Sequence, residues 1–172
     1  DNVTNPPIIQ SIIINNKYHM LDTNKDKNRD YQLVIYGASG FTGQLATKYI
    51  DKYYPSIKWG IAGRNKSKLN EIANNCSNKP DVLYAESKDE QSLNNATSST
   101  QVLLSFAGPF NKYSNLMVKS CFNNNTHYID ITGENIWVRD LIDEFHEDAV
   151  KKGIKIIPSC GYDSIPSDIG TY

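Results

Sequence analysis

Short apolar runs alternate along the chain with segments in which apolar residues recur at helical spacing. Each run is rich in β-branched residues and too short for a helix, so the runs predict buried strands. Between them, patterns such as Leu69, Ile72 and Ala73 place apolar side chains on one face of a helix. The alternation predicts a doubly wound α/β domain, with a mostly parallel six-stranded sheet and helices on both faces. The expected strands are residues 31–37, 58–63, 81–85, 101–106, 127–132 and 154–159.

The helix ends carry signals of their own. Pro55 ends the first helix, Asp89 is suited to cap the start of a short helix, and Gly153 is suited to a left-handed stop. Right-handed crossovers between parallel strands favour the strand order 3-2-1-4-5-6, with ligands at the carboxyl ends of the strands. The longer expected helices are residues 41–54, 65–73, 113–123 and 136–152.

Residues 1–30 precede this domain and contain one apolar patch, Ile8 to Ile14, between polar stretches. We expect an appended arm that is poorly ordered or contributes one edge strand, followed by a single domain over residues 31–172. The patch lacks the basic segment that opens a signal peptide. No run approaches the length of a transmembrane helix. Because the chain begins with Asp1 rather than methionine, a targeting signal could lie upstream of it.

The composition indicates which kinds of partner to expect. The formal net charge is −1 and the pI is about 6.3, so the composition gives no electrostatic indication of a nucleic-acid partner, and we expect none. Cys76, Cys121 and Cys160 are far apart and form no C-x-x-C pair, and the three histidines are equally scattered. We therefore predict neither a metal site nor a disulfide framework, and a reducing compartment. The expected partner is a small molecule.

Three glycines stand between the first strand and the first helix. Gly37 would permit a sharp turn, Gly40 would let the backbone approach a pyrophosphate, and Gly43 would let the helix lie close to the strand. The free N–H groups of the helix start would hold the phosphate charge. The spacing G-x-x-G-x-x-G is one residue longer than the usual fingerprint, and a purely structural turn is the alternative. The strand before it and the helix after it favour dinucleotide binding, with Ser39, Phe41 and Thr42 as further contacts.

The end of the second strand distinguishes the two nicotinamide cofactors. NAD enzymes place an acidic residue about 20 positions after the glycines, whereas here Arg64 stands 21 positions after Gly43. A guanidinium can hold a 2′-phosphate with two hydrogen bonds, and Asn65, Ser67 and Lys68 could add donors. The alternative is that Arg64 is only a solvated surface charge. The position predicts NADP, with NAD as the weaker choice.

Two further strand ends supply candidate cofactor contacts. Glu86 and Ser87 follow the third strand and could border the adenine. Ala107, Gly108 and Pro109 follow the fourth strand and form a stiff loop where the nicotinamide ribose should pass.

Carboxylates and a cysteine follow the last two strands. For Asp130 and Glu134, each taken alone, capping of a turn is the simpler interpretation. Asp163 is the candidate catalytic residue, because it could orient a substrate amine, although capping the helix near Pro166 explains it equally well. Nothing in the sequence lowers the pKa of Cys160, which we interpret as a small packed residue.

A short-chain dehydrogenase mechanism would need a Tyr-x-x-x-Lys pair on the helix after the fourth strand, where the lysine lowers the pKa of the tyrosine. Tyr54 and Lys58, and Tyr84 and Lys88, have this spacing. Both pairs lie at the second and third strands, so neither is interpreted as catalytic.

Five segments taken together resemble the saccharopine dehydrogenase-like oxidoreductases, and the resemblance extends from about residue 31 to the last residue. The segments are Gly37–Gly43, Ala62–Arg64, Phe106–Phe110, Tyr128–Glu134 and Cys160–Asp168. The family pattern has aspartate at the end of the third strand, where this chain has Glu86.

The resemblance implies an N-terminal Rossmann domain that binds a nicotinamide dinucleotide, followed by a substrate and dimerisation domain. The chain ends at Tyr172, where that second domain should begin. We therefore expect a fragment that is inactive by itself, with a homodimer formed through the absent domain. The loop that carries Asp163 would lie between cofactor and substrate.

The resemblance leaves the substrate unassigned. Relatives include lipid-modifying enoyl reductases and proteins of lipid droplets or mitochondria, so we expect an intracellular protein, cytoplasmic in the first instance, with lipid droplet or mitochondrion as alternatives. The main hypothesis is an NAD(P)-dependent oxidoreductase that positions the nicotinamide for hydride transfer. The alternative is a non-catalytic module that senses NADP or serves as a scaffold.

Overall fold

The computed structural model describes residues 29–171, so the edge strand expected near Ile8–Ile14 lies outside the described residues. Its strands form one sheet in the order β3-β2-β1-β4-β5-β6, and every neighbouring pair is parallel. The predicted fold class and strand order are therefore confirmed. The strands are β1 (Tyr31–Tyr36), β2 (Trp59–Gly63), β3 (Asp81–Tyr84), β4 (Thr100–Ser105), β5 (His127–Asp130) and β6 (Ile156–Ile157).

Seven helices connect or follow these strands within the described residues. The predicted helix signals hold: Asp89 Oδ1 accepts a hydrogen bond from Ser92 N at 3.1 Å, and Gly153 has φ 71°. The helices are α1 (Phe41–Tyr53), α2 (Lys66–Asn74), α3 (Glu90–Ser98), α4 (Phe110–Tyr113), α5 (Asn115–Asn123), α6 (Asn135–Lys152) and α7 (Ile165–Thr171).

Successive residues of β1 enter two different cores, because side chains alternate across a strand. Leu33 and Ile35 pack with the residues of α1 and α2 on one face of the sheet. Val34 and Tyr36 pack with the residues of α3, α5 and α6 on the other face. Both faces of the sheet are thus covered, which explains why the strands are continuous apolar runs rather than alternating ones.

Two predicted elements differ from the structure. The helix expected over 113–123 is divided into α4, which begins at Phe110, and α5, with Ser114 between them. The strand expected over 154–159 pairs only at Ile156–Ile157. It is shortened at one end by the turn that follows Gly153 and at the other by Ser159, whose φ of 61° is incompatible with a strand.

Candidate functional site

A cleft of about 280 Å³ opens at the carboxyl ends of β1 to β4. This is where ligands bind in open parallel sheets whose strand order reverses at the centre. The lining residues are Tyr36, Gly37, Ser39, Gly40, Gly63, Arg64, Glu86, Ser87, Phe106, Ala107, Gly108 and Tyr113.

Most of the predicted cofactor contacts therefore meet in one cleft. Phe41, Thr42, Gly43, Asn65 and Pro109 were predicted as well but do not line it. Sequence reasoning missed Tyr36, Gly63, Phe106 and Tyr113. The first three directly precede a predicted residue at a strand end, so that position was a usable signal. Tyr113 carried no such signal.

The glycine turn is held by its own backbone. Gly37 has φ 78°, and Gly40 N donates to Gly37 O at 3.0 Å. A Cβ on Gly43 would lie 2.3 Å from Gly37 O, a separation that no side chain tolerates. Gly43 thus allows α1 to lie close against β1, as predicted, and contributes to the cleft only through that packing.

The start of α1 faces this turn without a cap of its own. Its N-cap residue, Gly40, provides no side-chain hydrogen bond, and the first turn contains no acidic residue. The first N–H groups of a helix have no partner within the helix, and the helix dipole adds partial positive charge there. The start of α1 can therefore accept an anionic group such as a phosphate.

Arg64 follows the last residue of β2 and is exposed at the edge of the cleft. It makes no ion pair with any residue in the range 29–171. Its neighbour Asn65 caps α2, because its side-chain oxygen accepts a hydrogen bond from Lys68 N at 3.0 Å. The guanidinium donors of Arg64 are thus available to a ligand.

Tyr36 and Glu86 form the floor beside Arg64. Burial, and then the Glu86 carboxylate, raise the pKa of Tyr36 to about 12, while Arg64 opposes the shift. The phenol is therefore protonated at neutral pH and keeps its donor. Glu86 Oε1 accepts a hydrogen bond from Ser87 Oγ at 3.1 Å, and Glu86 N donates to Ser92 Oγ at 3.0 Å, so the end of β3 is well ordered.

The wall on the β4 side is secured by a residue from a different loop. The two carboxylate oxygens of Glu134 accept hydrogen bonds from Phe110 N and Asn111 N, both at 2.8 Å. The Phe110 ring also stacks on Trp137, with centroids 6.0 Å apart. The preceding Gly108-Pro109 peptide is cis. The hydrogen bonds to Glu134 and the stacking on Trp137 explain why α4 begins earlier than predicted.

Asp130 joins the ends of β5 and β6. Its Oδ1 accepts hydrogen bonds from Thr132 N at 2.9 Å and Ser159 N at 3.0 Å, and its backbone oxygen accepts one from Cys160 N. Burial raises the pKa of the Asp130 carboxyl, although these backbone bonds oppose the shift. The simpler interpretation of Asp130 and Glu134, that each caps a turn or helix, is therefore confirmed.

The candidate catalytic residue lies outside the cleft lining. The Asp163 carboxylate covers Gly161 and Gly133, since Cβ atoms there would be 2.6 and 3.6 Å from its oxygens. It accepts no hydrogen bond from residues 29–171, so it does not cap α7, which was the alternative role of this residue. Burial, and then Asp130, raise the pKa of Cys160 to about 11, which agrees with an unreactive packed thiol.

Two kinds of feature are absent from the described part of the chain. No three or more histidine, cysteine, aspartate or glutamate residues there are grouped so that they could hold a metal ion. None of the helices in that part is both long enough and apolar enough to cross a membrane.

Comparison with known proteins identifies similar sequences and folds. The family model of the saccharopine dehydrogenase NADP-binding domain matches residues 33–157. A lipid droplet localized protein of Caenorhabditis elegans is 34% identical over 149 residues, covering 81% of this chain and 35% of that protein. A saccharopine dehydrogenase-like oxidoreductase of Rattus norvegicus is 33% identical over 159 residues, covering 84% of this chain and 37% of that protein.

Among solved structures, apo saccharopine dehydrogenase (L-Glu forming) of Saccharomyces cerevisiae aligns with a TM-score of 0.65 at 19% identity. The alignment covers 78% of this chain and 28% of the yeast enzyme, and at this identity it shows the shared fold. The chain spans about a third of the length of the two curated relatives.

Proposed function

Because the chain belongs to the family of saccharopine dehydrogenase NADP-binding domains, we propose that it is the cofactor domain of an oxidoreductase that prefers NADP(H) to NAD(H). The observation that carries the proposal is the cleft itself, in which the uncapped start of α1, the glycine turn and the unpaired Arg64 converge. No acidic residue follows β2 directly to repel a 2′-phosphate.

The cleft has the donors that such a cofactor needs. The pyrophosphate would lie at the start of α1, where Phe41 and Thr42 provide helix N–H groups. Arg64 would hold the 2′-phosphate, and Asn65 could add a donor from its amide nitrogen. Glu86 would border the adenine. The adenosine half of the dinucleotide would then lie at β2 and β3.

The other half of the dinucleotide would then extend towards β4. Ala107, Gly108 and Pro109 would lie beside the nicotinamide ribose, and Tyr113 also lines the cleft. When bound, NADPH supplies a hydride, and the protein contributes positioning and exclusion of water. The chain would thus determine where the reacting carbon of the nicotinamide lies relative to a substrate.

Calorimetric titration of the purified chain with NADP and with NAD tests this function directly. We expect NADP to bind at least about tenfold more tightly, because a charge-assisted hydrogen bond contributes roughly 1.5–3 kcal/mol. Equal affinities would contradict the cofactor preference. If neither dinucleotide binds, the domain is a scaffold and the proposal is wrong.

We further propose that residues 1–172 bind cofactor without catalysing hydride transfer, and that catalysis and homodimer formation belong to the remainder of a longer protein. Asp163 lies on an exposed loop next to β5 and β6, where a covering domain could enclose it and where it could orient a substrate amine. NADPH oxidation by the isolated chain at the rate of the longer protein would contradict this proposal.

A location on lipid droplets is proposed for the longer protein on the name of its Caenorhabditis elegans relative alone. A fluorescent fusion of the longer protein, imaged with a neutral-lipid dye, tests it. A diffuse cytoplasmic signal would contradict the proposal.

A further inference from the structure

The β4 side of the cleft is formed by a segment that is too short to be stable by itself. Ala107 and Gly108 line the cleft and lead directly into α4, which has only four residues. A single helical turn is unstable by itself, because nucleation fixes several residues for one hydrogen bond. Pro109, at the N-cap position, provides no side-chain cap. The stability of this wall therefore has to come from elsewhere in the molecule.

The packing of Phe110 on Trp137 supplies part of that stability, and Glu134 supplies the hydrogen bonds. Its two carboxylate oxygens bind the first two N–H groups of α4, at Phe110 and Asn111, each at 2.8 Å. Hydrogen bonds to an ionised acceptor are shorter and stronger than neutral ones. Glu134 makes no ion pair within residues 29–171, so its charge is directed at the helix start.

Glu134 is itself held by hydrogen bonds at the end of β5 and the start of α6. Glu134 is the N-cap residue of α6, which has 18 residues, and its N–H donates to Thr132 Oγ1 at 3.1 Å. Thr132 N in turn donates to the buried Asp130 carboxylate. The end of β5 thus determines the position of the cleft wall, and the loop that forms the wall does not.

From this arrangement we propose that Glu134 is a positioning residue for the nicotinamide half of the bound dinucleotide. It touches the backbone of α4 and none of the residues proposed to hold the adenosine half. The inference rests on the proposed function, since it assumes that a dinucleotide lies across the cleft. It predicts that the two halves of the ligand depend on different residues.

Two ligands separate the halves in one calorimetric experiment. NADP fills the whole cleft, whereas adenosine 2′,5′-bisphosphate contains only the adenosine half. Glu134→Ala should weaken NADP binding by about tenfold, because two N–H groups lose their acceptor. Binding of the bisphosphate should change by less than about twofold. Glu134→Gln, which keeps one acceptor oxygen, should weaken NADP binding by about threefold.

Glu144→Ala is the matched control, since Glu144 is an exposed glutamate on the same helix. It should leave both affinities unchanged. Unchanged NADP binding in Glu134→Ala would overturn the inference, as would an equal loss for both ligands in Glu134→Ala and Glu134→Gln. If the unmodified chain binds neither ligand, the proposed function fails first. Should Glu134→Ala not fold, Glu134→Gln decides the matter alone.

Discussion

The two sides of the cleft are built in different ways. On the side of β1 and β2, apart from the backbone bond from Gly37 N to Ala62 O that continues the sheet, the contacts that shape it are local: Gly40 bonds to Gly37, and Asn65 bonds to Lys68. On the side of β4 and β5, Glu134 reaches a partner 24 residues away. The Asp130 carboxylate likewise binds an N–H group 29 residues away. The first side is formed by consecutive backbone, the second by single carboxylates.

This difference predicts how each side fails. A side made from consecutive backbone breaks when a side chain enters the space that the backbone needs. A side held by a carboxylate breaks when the acceptor is removed and the N–H groups it served are left without a partner. Substitutions on both sides can therefore test the comparison.

The largest effect is expected for Gly43→Ala on the backbone-built side. The added methyl would stand 2.3 Å from Gly37 O, and neither the helix nor the turn can yield without losing the packing of α1 on β1. We expect the free energy of unfolding to fall by about 3 kcal/mol. Urea denaturation measures this. Gly170→Ala, where a Cβ would meet nothing within 4 Å, is the control, and because Gly170 lies in α7 the unfolding free energy should stay the same or rise slightly.

Gly40→Val should separate binding from folding on the same side. A Cβ at Gly40 would meet only Gly37 O, at 3.3 Å, so the domain should still fold. The branched side chain would occupy the approach to the pyrophosphate and weaken NADP binding by at least about a hundredfold. Calorimetry together with a thermal melt tests both statements. Unchanged affinity in a folded variant would show that the turn is purely structural.

Arg64→Ala should affect one cofactor only. Loss of the guanidinium should weaken NADP binding by about ten- to a hundredfold and leave NAD binding nearly unchanged. Lys58→Ala is a suitable control, because Lys58 is an exposed cation just before β2, at the strand end away from the cleft. An equal loss for both cofactors would show that Arg64 does not determine the preference.

The smallest effect is expected for Asp130→Asn on the carboxylate-built side. The buried Tyr128 hydroxyl interacts with the Asp130 carboxylate, but neither that hydroxyl nor Asp130 Oδ2 has a hydrogen bond of normal geometry among the described residues. An asparagine keeps the acceptor for Thr132 N and Ser159 N and adds a donor that can face Tyr128. We expect a gain of about 1 kcal/mol in unfolding free energy at pH 7. Asp130→Ala should instead destabilise the domain.

The pH dependence of this gain gives a sharper test. Folding raises the pKa of Asp130 above its ordinary value of 3.8. At a pH between the ordinary and the raised value, the folded protein therefore binds more protons than the unfolded protein. The unfolding free energy of the unmodified protein therefore rises as the pH falls through that range. The advantage of Asp130→Asn should shrink accordingly. An advantage that is constant with pH would exclude the titration of Asp130 as its cause.

Sequence reasoning succeeded for the features that depend on local contacts, as on the side of β1 and β2. Strand order, the glycine turn and the position of Arg64 depend on apolar period and short spacings, which can be counted along the chain. The caps at Asp89 and Gly153 are equally local, and the structure shows them as predicted.

The failures lie where the structure depends on distant contacts. The start of α4 at Phe110 and the place of Tyr113 in the cleft could not be predicted, because Glu134 provides the acceptor from another loop. The sequence indicated that Glu134 caps a turn, but it did not indicate that its partners are N–H groups of α4. The shortening of β6 depends on Ser159, whose N–H is bound by Asp130, and no spacing along the chain indicates that contact.

The boundaries of the sheet have a consequence for behaviour in concentrated solution. Both edge strands are short, with four residues in β3 and two in β6. Each is bounded by a proline, Pro80 before β3 and Pro158 after β6, and proline has no N–H group to donate to a neighbouring strand. An exposed edge is a template for intermolecular pairing and amyloid-like aggregation. The described sheet offers very little such template at either side, so aggregation through its edges is disfavoured.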